Sequence, residues 1–194
     1  AMYEQEKGVF ELKDNEGITP VHRAAGEGYT ATLMAMYDKE KGVFELKDNE
    51  GKTPAHYAAQ WGQTATLMAM FGVDANVLQV QDEEGWTPAH FAAGNGHVAT
   101  LMAMYDKEKG VFELKDDDGK SPAHYAVEYG ETAILMAMYD KEKGVFELKA
   151  NDGKTPAHLA AQCDRTATLM AMCDKEKVVF KLKDKEERTP AHYA

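Results

Sequence analysis

The chain has 194 residues, and its 22 Lys and Arg against 33 Asp and Glu give a net charge of −11. An acidic chain without clustered Lys and Arg is a poor ligand for phosphates, so we expect neither nucleic-acid binding nor docking on an anionic membrane. The hydrophobic fraction of 44% is enough for a buried core, and no apolar run is long enough to span a membrane. Two Cys cannot form a disulfide framework, and reduced thiols indicate a cytoplasmic protein.

An internal repeat dominates the sequence. The pattern Ser/Thr-Pro-x-His-x-Ala returns every 34 residues, beginning at Thr19, Thr53, Thr87, Ser121, Thr155 and Thr189. Such a period is typical of a solenoid, in which each repeat buries its apolar face against its neighbours. We therefore expect a single array over residues 1–194, with about five full repeats and partial repeats at both ends. Because Ala1-Met2-Tyr3 already matches a repeat interior and neither end resembles a polar cap, we expect either a window of a longer array or a chain whose ends are not ordered.

Each repeat is predicted to contain a helix, a turn, a second helix and an extended finger. Thr53 and Pro54 are typical of the N-cap and first position of a helix, which Gly62 should end in the left-handed conformation. A second helix follows, with Met and Leu on its inner stripe. In the preceding repeat this helix should end at Gly42, and the alternating residues 43–47 predict an extended segment before a turn.

The motif residues Thr53, Pro54, His56, Ala58-Ala59 and Gly62 resemble the ankyrin repeat, and the resemblance extends over essentially the whole chain. It implies an all-α solenoid of stacked antiparallel helix pairs with extended hairpin fingers, a concave face and a role in protein recognition. It also implies that the motif His bonds to the motif Thr, so six of the seven histidines are structural. The match weakens after the second helix, where the repeat is one residue longer than is usual in the family.

Substitutions at positions that are glycine in other copies predict backbone strain in one repeat. Gly42 and its equivalents occupy a position that we expect to be left-handed, and Asn76 there tolerates that conformation. Val178 does not fit it, and Glu187 replaces the turn glycine. We therefore expect strain in the last repeat.

No arrangement of residues indicates catalysis. The sequence has no Gly-rich phosphate loop, no nucleophile elbow and no HExxH motif. Equivalent histidines of neighbouring repeats should stand roughly 10 Å apart, which is too far to share a metal ion. Cys163 and Cys173 lack the spacing and the partners of a zinc site. We expect a protein that is not an enzyme and that takes no cofactor and no metal ion.

Differences between otherwise similar repeats indicate a binding surface. Residues 37–48 and 105–116 are identical, yet the positions before and after the helix-ending Gly hold a different residue in each of five copies. The position before the motif Ser/Thr holds Ile, Lys, Trp or Arg. In ankyrin-like repeats the position before the Gly and the position before the Ser/Thr face the concave surface, where Trp and Tyr contribute most to binding. Acidic fingertips beside them predict a partner protein with an exposed basic patch. The predicted contact residues are Trp61, Trp86, Tyr129, Asn95, Ile18, Glu27, Lys52, Lys120, Glu83, Glu84, Asp117 and Asp118.

Three alternatives stay open at this stage. Either Trp could cover a groove between helices instead of contacting a partner. Near-identical repeats would also suit a passive spacer, or a module that targets an enzyme encoded outside these residues. We expect a monomer, although apolar end faces leave end-to-end stacking open.

Overall fold

The computed structural model describes residues 8–194, and the partial repeat predicted at Ala1–Tyr3 lies outside them. The chain divides between Pro88 and Ala89 into two compact blocks, described here over residues 8–88 and 89–194. The described residues form ten α-helices and no strand, in agreement with the predicted all-α class. The α-helices are α1 (Pro20–Gly26), α2 (Thr30–Lys39), α3 (Pro54–Gln60), α4 (Thr64–Val73), α5 (Pro88–Gly94), α6 (Val98–Lys107), α7 (Pro122–Glu128), α8 (Thr132–Lys141), α9 (Pro156–Gln162) and α10 (Thr166–Lys175). The 3-10 helices are Val9–Glu11, Lys41–Glu45, Ala75–Leu78, Lys109–Phe112, Lys143–Phe146, Lys177–Lys181 and Pro190–His192.

The short first helix of each repeat begins and ends where its sequence predicts. Before α3, Thr53 has an extended backbone and Pro54 takes the first helical position, where the missing N–H has no intrahelical partner to lose. Gly62 follows the helix at a φ of 67°, which is the left-handed conformation expected of it. Ala58 and Ala59 are fully buried, and their small side chains let α3 pack closely against α1.

The second helices supply most of the large core side chains. The predicted stripe of Leu and Met is confirmed, since its inner positions are fully buried in both blocks. In the first block these residues are Leu33, Leu67 and Met70. In the second block they are Leu101, Met104, Leu135, Met138 and Met172.

The segment after the second helix differs from the extended finger predicted for it. Lys41–Glu45 is a 3-10 helix that buries both Val43 and Phe44. The Phe44 ring stacks on Tyr37 with the ring centroids 4.7 Å apart. Gly42 lies within this 3-10 helix and has no positive φ, so no left-handed residue ends α2. The alternation of apolar and charged residues wrongly predicted an extended segment, because the consecutive residues Val43 and Phe44 both face the core.

The strain predicted for the last repeat is found at one of the two predicted positions. Val178 lies in the 3-10 helix Lys177–Lys181 without a positive φ, so the prediction of strain there was wrong. Glu187 does have a φ of 62°, as expected of a residue in place of the turn glycine. Asp164, which replaces the helix-ending glycine, has a φ of 53°. Side chains with a Cβ adopt this region at a cost in free energy.

A buried histidine links each repeat of the first block to the finger of the next. The N–H and the hydroxyl of Thr19 donate to Nδ1 of His22 at 3.2 and 2.8 Å, and Nε2 lies 3.0 Å from the carbonyl oxygen of Lys52. His56 repeats the arrangement with Thr53 and the carbonyl of Trp86. Because Nδ1 accepts a backbone N–H, the proton must be on Nε2 and the ring is neutral. The bond to the motif Thr that the family resemblance implied is therefore present.

The second block contains the same links. Nε2 of His90, His124 and His158 lies 3.0–3.1 Å from the carbonyl oxygens of Lys120, Lys154 and Arg188. Burial disfavours the charged ring and lowers the pKa of His90 and His124, like that of His56, to about 4. The pKa of His22 and His158 is lowered by the same cause.

We expect the stability of the protein to fall as the pH drops from 6.5 to about 4. In this window the unfolded chain binds protons at its histidines, whereas His56, His90 and His124 stay neutral in the folded chain. The free energy of unfolding should decrease by ~1.4 kcal/mol per pH unit for each such histidine, and should be restored above 6.5. Urea unfolding followed by circular dichroism at a series of pH values measures this slope. A free energy of unfolding that is constant across the window would contradict neutral buried rings.

We expect the substitution Asp164→Gly to stabilise the protein by about 0.5–1 kcal/mol, because it removes a side chain from a left-handed residue. Gly62→Asp, at the equivalent position in the first block, should destabilise by a similar amount. The urea midpoints of both variants test the pair. Loss of stability in Asp164→Gly would mean that the bond from the Thr166 hydroxyl to the Asp164 carboxylate, 3.2 Å long, outweighs the backbone strain.

Candidate functional site

Each fingertip is the turn that precedes a motif Ser/Thr, at residues 14–18 and 48–52 in the first two copies. A cleft of about 440 Å³ lies between these two fingertips and helix α3 in the first block, and we call it the first cleft. Three of the predicted contact residues, Ile18, Lys52 and Trp61, meet in its lining. The remaining lining residues are Asn15, Glu16, Asp48, Asn49, Glu50, Tyr57 and Gln60. The cleft therefore combines apolar, aromatic and acidic groups on neighbouring repeats.

Hydrogen bonds within and between the fingertips hold the rim of the first cleft. One carboxylate oxygen of Asp48, Oδ1, accepts the N–H groups of Glu50 and Lys52, each at 2.9 Å, and closes the turn. The N–H of Asn49 donates to the carbonyl of Glu16 at 3.1 Å, which ties this fingertip to the preceding one. The Asp48 carboxylate and backbone hydrogen bonds thus hold the rim in place, and the Glu16 and Glu50 side chains remain exposed.

A tyrosine hydroxyl connects the floor of the first cleft to its rim. The Tyr57 hydroxyl donates to Oδ2 of Asp48 at 2.8 Å. Burial and the neighbouring carboxylate raise the pKa of Tyr57, so the phenol keeps the proton that it donates. In the second block Tyr193 bonds to Asp184 in the same way, at 2.6 Å. This link was not predicted from the sequence.

The copies of the repeat nevertheless carried a signal for the tyrosine–aspartate link. The repeat that has Leu159 at the tyrosine position has Ala150 at the aspartate position, so the donor and the acceptor are lost together. In the first repeat Arg23 takes the tyrosine position, and its guanidinium pairs with Asp14 at 2.6 Å. One copy breaks this pattern, because it keeps Asp82 but has Phe91, which has no hydroxyl to donate, at the tyrosine position. The signal in the copies was therefore incomplete.

Trp61 forms one wall of the first cleft and is 62% exposed. A methyl group built on Gly26 would lie only 3.2 Å from Cδ1 of the indole, so the ring edge rests on a glycine of the preceding repeat. In the second block Tyr129, 54% exposed, rests on Gly94 with the same 3.2 Å spacing. Each ring covers a small notch, as the alternative interpretation held, but most of its surface stays open to solvent. The glycines at positions 26 and 94 indicate this packing in the sequence, although it was not predicted from them.

A second cleft, of about 220 Å³, lies between fingertips in the second block. It contains the predicted contact residues Lys120 and Asp118 but no aromatic ring. Lys120 Nζ pairs with the Glu128 carboxylate at 3.0 Å and lies 5.2 Å from the centroid of the Tyr125 ring. The other lining residues of the second cleft are Ala150, Asn151, Asp152, Lys154 and Leu159.

The other predicted contact residues line neither cleft. Trp86 is half-buried, and its backbone N–H donates to Asp82 Oδ1 at 2.8 Å. The Asn95 amide donates back to the carbonyl of Phe91 at 2.9 Å, in its own helix. Glu83 packs its side chain beside Gly51 on the neighbouring fingertip. The residues Glu27, Glu84, Asp117 and Tyr129 are exposed.

The variable position after the helix-ending glycine has a structural role in two repeats. The Gln63 amide donates to the carbonyl of Gly26 at 3.0 Å, and the Arg165 guanidinium donates to the carbonyl of Glu128 at 2.8 Å. In both cases the side chain reaches the end of the first helix of the preceding repeat. An amide and a guanidinium thus make the same contact between repeats in these two copies.

Comparison with known proteins settles the family. A family model of ankyrin repeats (three copies) matches residues 3–79 and 64–146, which is more than half of the chain. The chain belongs to the ankyrin repeat family. Ankyrin repeats are a common protein–protein interaction module and are typically non-catalytic.

A structural comparison agrees with this assignment. The crystal structure of the ankyrin repeat domain of Bcl-3, described as a unique member of the IkappaB protein family, is similar with a TM-score of 0.82. The match covers 100% of this chain and 85% of that one at 19% sequence identity, so it shows the ankyrin fold alone. A search of curated proteins found no match.

Within residues 8–194, no helix is long and apolar enough to cross a membrane. In the same part of the chain, no three His, Cys, Asp or Glu side chains come together in a way that could hold a metal ion.

The glycine beneath Trp61 can be tested with a second helical glycine as control. Gly72→Ala has open space around its new methyl group and should stabilise α4 by up to about 1 kcal/mol through helix propensity. Gly26→Ala should stabilise less, because the Trp61 ring must move. In a Trp61→Ala background, where no ring has to move, Gly26→Ala should stabilise by about 0.5–1 kcal/mol more than it does in the original chain. Urea unfolding of the original chain, the two single variants and the Gly26→Ala/Trp61→Ala double variant measures this. Additive effects of Gly26→Ala and Trp61→Ala would show that the ring is not held by this contact.

Proposed function

We propose that the chain is a non-catalytic scaffold that binds a partner protein through the concave face of an ankyrin array, where the fingertips and first helices lie. The observation that carries this proposal is the exposure of Trp61 at the wall of the first cleft. Trp is the residue type that most often dominates the energy of protein interfaces, and a partner would bury the open face of its ring. The 34-residue period continues without interruption from one block into the next, so we propose that the repeats act as one array.

The charge of the chain supports a partner with an exposed basic patch. The fingertips of the first block carry exposed carboxylates at Glu16, Glu50, Glu83 and Glu84, and the chain as a whole has a net charge of −11. Charges at the rim of an interface act mainly on the rate of association, and salt screens them. Binding should therefore slow as the salt concentration rises.

A pull-down from cell lysate tests the proposed function. The full chain is compared with the double variant Trp61→Ala/Trp86→Ala and with Met170→Ala, a matched control at a 51% exposed apolar residue on helix α10. We expect the original chain and the control to retain the same protein, and the double variant to lose it, with about 2 kcal/mol or more of binding free energy removed. Circular dichroism confirms that each variant is folded.

The remaining outcomes discriminate between functions. Capture that the double variant retains would place the binding surface elsewhere on the chain. Loss of capture in Met170→Ala but not in the double variant would favour the opposite face. Absence of any captured protein would favour a passive spacer.

A further inference from the structure

We propose that the first cleft is a binding site for an arginine side chain of the partner protein. This inference rests on the proposed protein-binding function and adds the chemistry of the group that enters the cleft. The aromatic wall of the first cleft, the charge of its lining and its contrast with the second cleft all favour this ligand.

The aromatic wall suits a planar cation. The open face of the Trp61 ring borders a space of about 440 Å³, which is larger than one arginine side chain. Because the edge of the ring rests on Gly26, the indole is already positioned before a ligand arrives. A guanidinium is planar and weakly hydrated, so it stacks on aromatic faces better than an ammonium does, and Trp gives the strongest cation–π contact.

The charge of the lining also favours a cation. Three carboxylates, of Glu16, Asp48 and Glu50, face one ammonium, of Lys52. Asp48 is occupied by the Tyr57 hydroxyl and two backbone N–H groups, which leaves Glu16 and Glu50 as the exposed acceptors at the rim. A carboxylate can accept two parallel N–H bonds from one guanidinium.

Lys52 acts as a competitor built into the first cleft. Its ammonium pairs with Glu50, and its side chain is only 21% exposed. An incoming guanidinium would have to share Glu50 with this lysine and would meet its like charge. Removal of the Lys52 charge should therefore strengthen the binding of a cation, which is the opposite of the usual effect of deleting a cleft residue.

The second cleft provides a natural contrast. It has half the volume, no aromatic ring and two lysines, Lys120 and Lys154, beside Asp118 and Asp152. Leu159 takes the place of Tyr57 in its lining. The same arrangement of fingertips thus lacks the aromatic wall and the excess of carboxylates, and we expect it not to bind arginine.

Nuclear magnetic resonance of the full chain tests the site with a small probe. The probe is N-acetyl-arginine amide, and N-acetyl-citrulline amide is its uncharged control of the same shape. We expect the arginine probe to shift the indole N–H signal of Trp61 in a saturable manner and the citrulline probe to bind at least about fivefold more weakly. The signal is assigned with Trp86→Phe, and the Asn151 amide in the second cleft should not respond.

Variants sharpen the test because they move the affinity in opposite directions. Glu16→Gln and Glu50→Gln should each weaken binding of the arginine probe about threefold, the effect of one exposed charge. Lys52→Met should strengthen it by a similar factor, and Lys154→Met in the second cleft should leave it unchanged. Trp61→Leu, read at the Asn49 amide, should abolish the response.

Equal binding of the citrulline and arginine probes would overturn the arginine site, and so would weaker binding in Lys52→Met. Failure of the arginine site can be distinguished from failure of the proposed protein-binding function. If the partner protein is captured through Trp61 but the arginine probe does not bind, the arginine site is wrong and the scaffold function stands. If the probe binds as expected while capture does not depend on Trp61, the arginine site stands and the proposed interface is wrong.

Discussion

The neutral histidine of the first five motifs is the constraint on which the rest of the structure depends. Its ring is buried, so both nitrogens must find partners, and they find them in two different repeats. Nδ1 of His22 is fixed by Thr19 at the start of α1, while Nε2 bonds to the carbonyl of Lys52 at the base of the next finger. The side chain of Lys52 is also part of the first cleft. The bond that joins two repeats therefore sets the position of a group at the candidate binding site.

Glycines decide where aromatic rings can stand on this framework. Gly26 and Gly94 end their helices without a side chain, and in each case an aromatic ring of the following repeat, Trp61 or Tyr129, rests on the space. A larger residue would occupy the same space. Glu128 takes the place of Gly94 in the next copy, and there the small Cys163 takes the place of the aromatic residue. The exposed rings are thus partly explained by packing, yet the packing holds only an edge. The rest of each ring remains available for a partner.

Features determined by neighbouring residues could be predicted from the sequence, whereas features formed between distant residues could not. The N-cap at Thr53 and the end of the helix at Gly62 depend on local conformation, so they were predicted correctly. The 3-10 helix at Lys41–Glu45 was missed because it forms when Val43 and Phe44 both turn inward and Phe44 stacks on Tyr37. Three residues of the first cleft were predicted as contacts, but the cleft itself lies between fingertips about one repeat apart. The joint change of Leu159 and Ala150 pointed to the tyrosine–aspartate link, but the copy with Phe91 and Asp82 keeps the aspartate without the tyrosine and obscured it.

That link also shows how one fingertip can serve both stability and recognition. Asp48 closes its own turn and accepts the Tyr57 hydroxyl, so its oxygens already have hydrogen-bond donors inside the repeat. The carboxylates beside it, on Glu16 and Glu50, close no turn and lie exposed at the rim. Substitution at the rim should therefore cost little stability, whereas substitution of Asp48 would leave buried groups unpaired. Because the two tasks fall on different side chains, one framework can carry clefts as different as the first, with its Trp and Tyr, and the second, with its leucine and lysines.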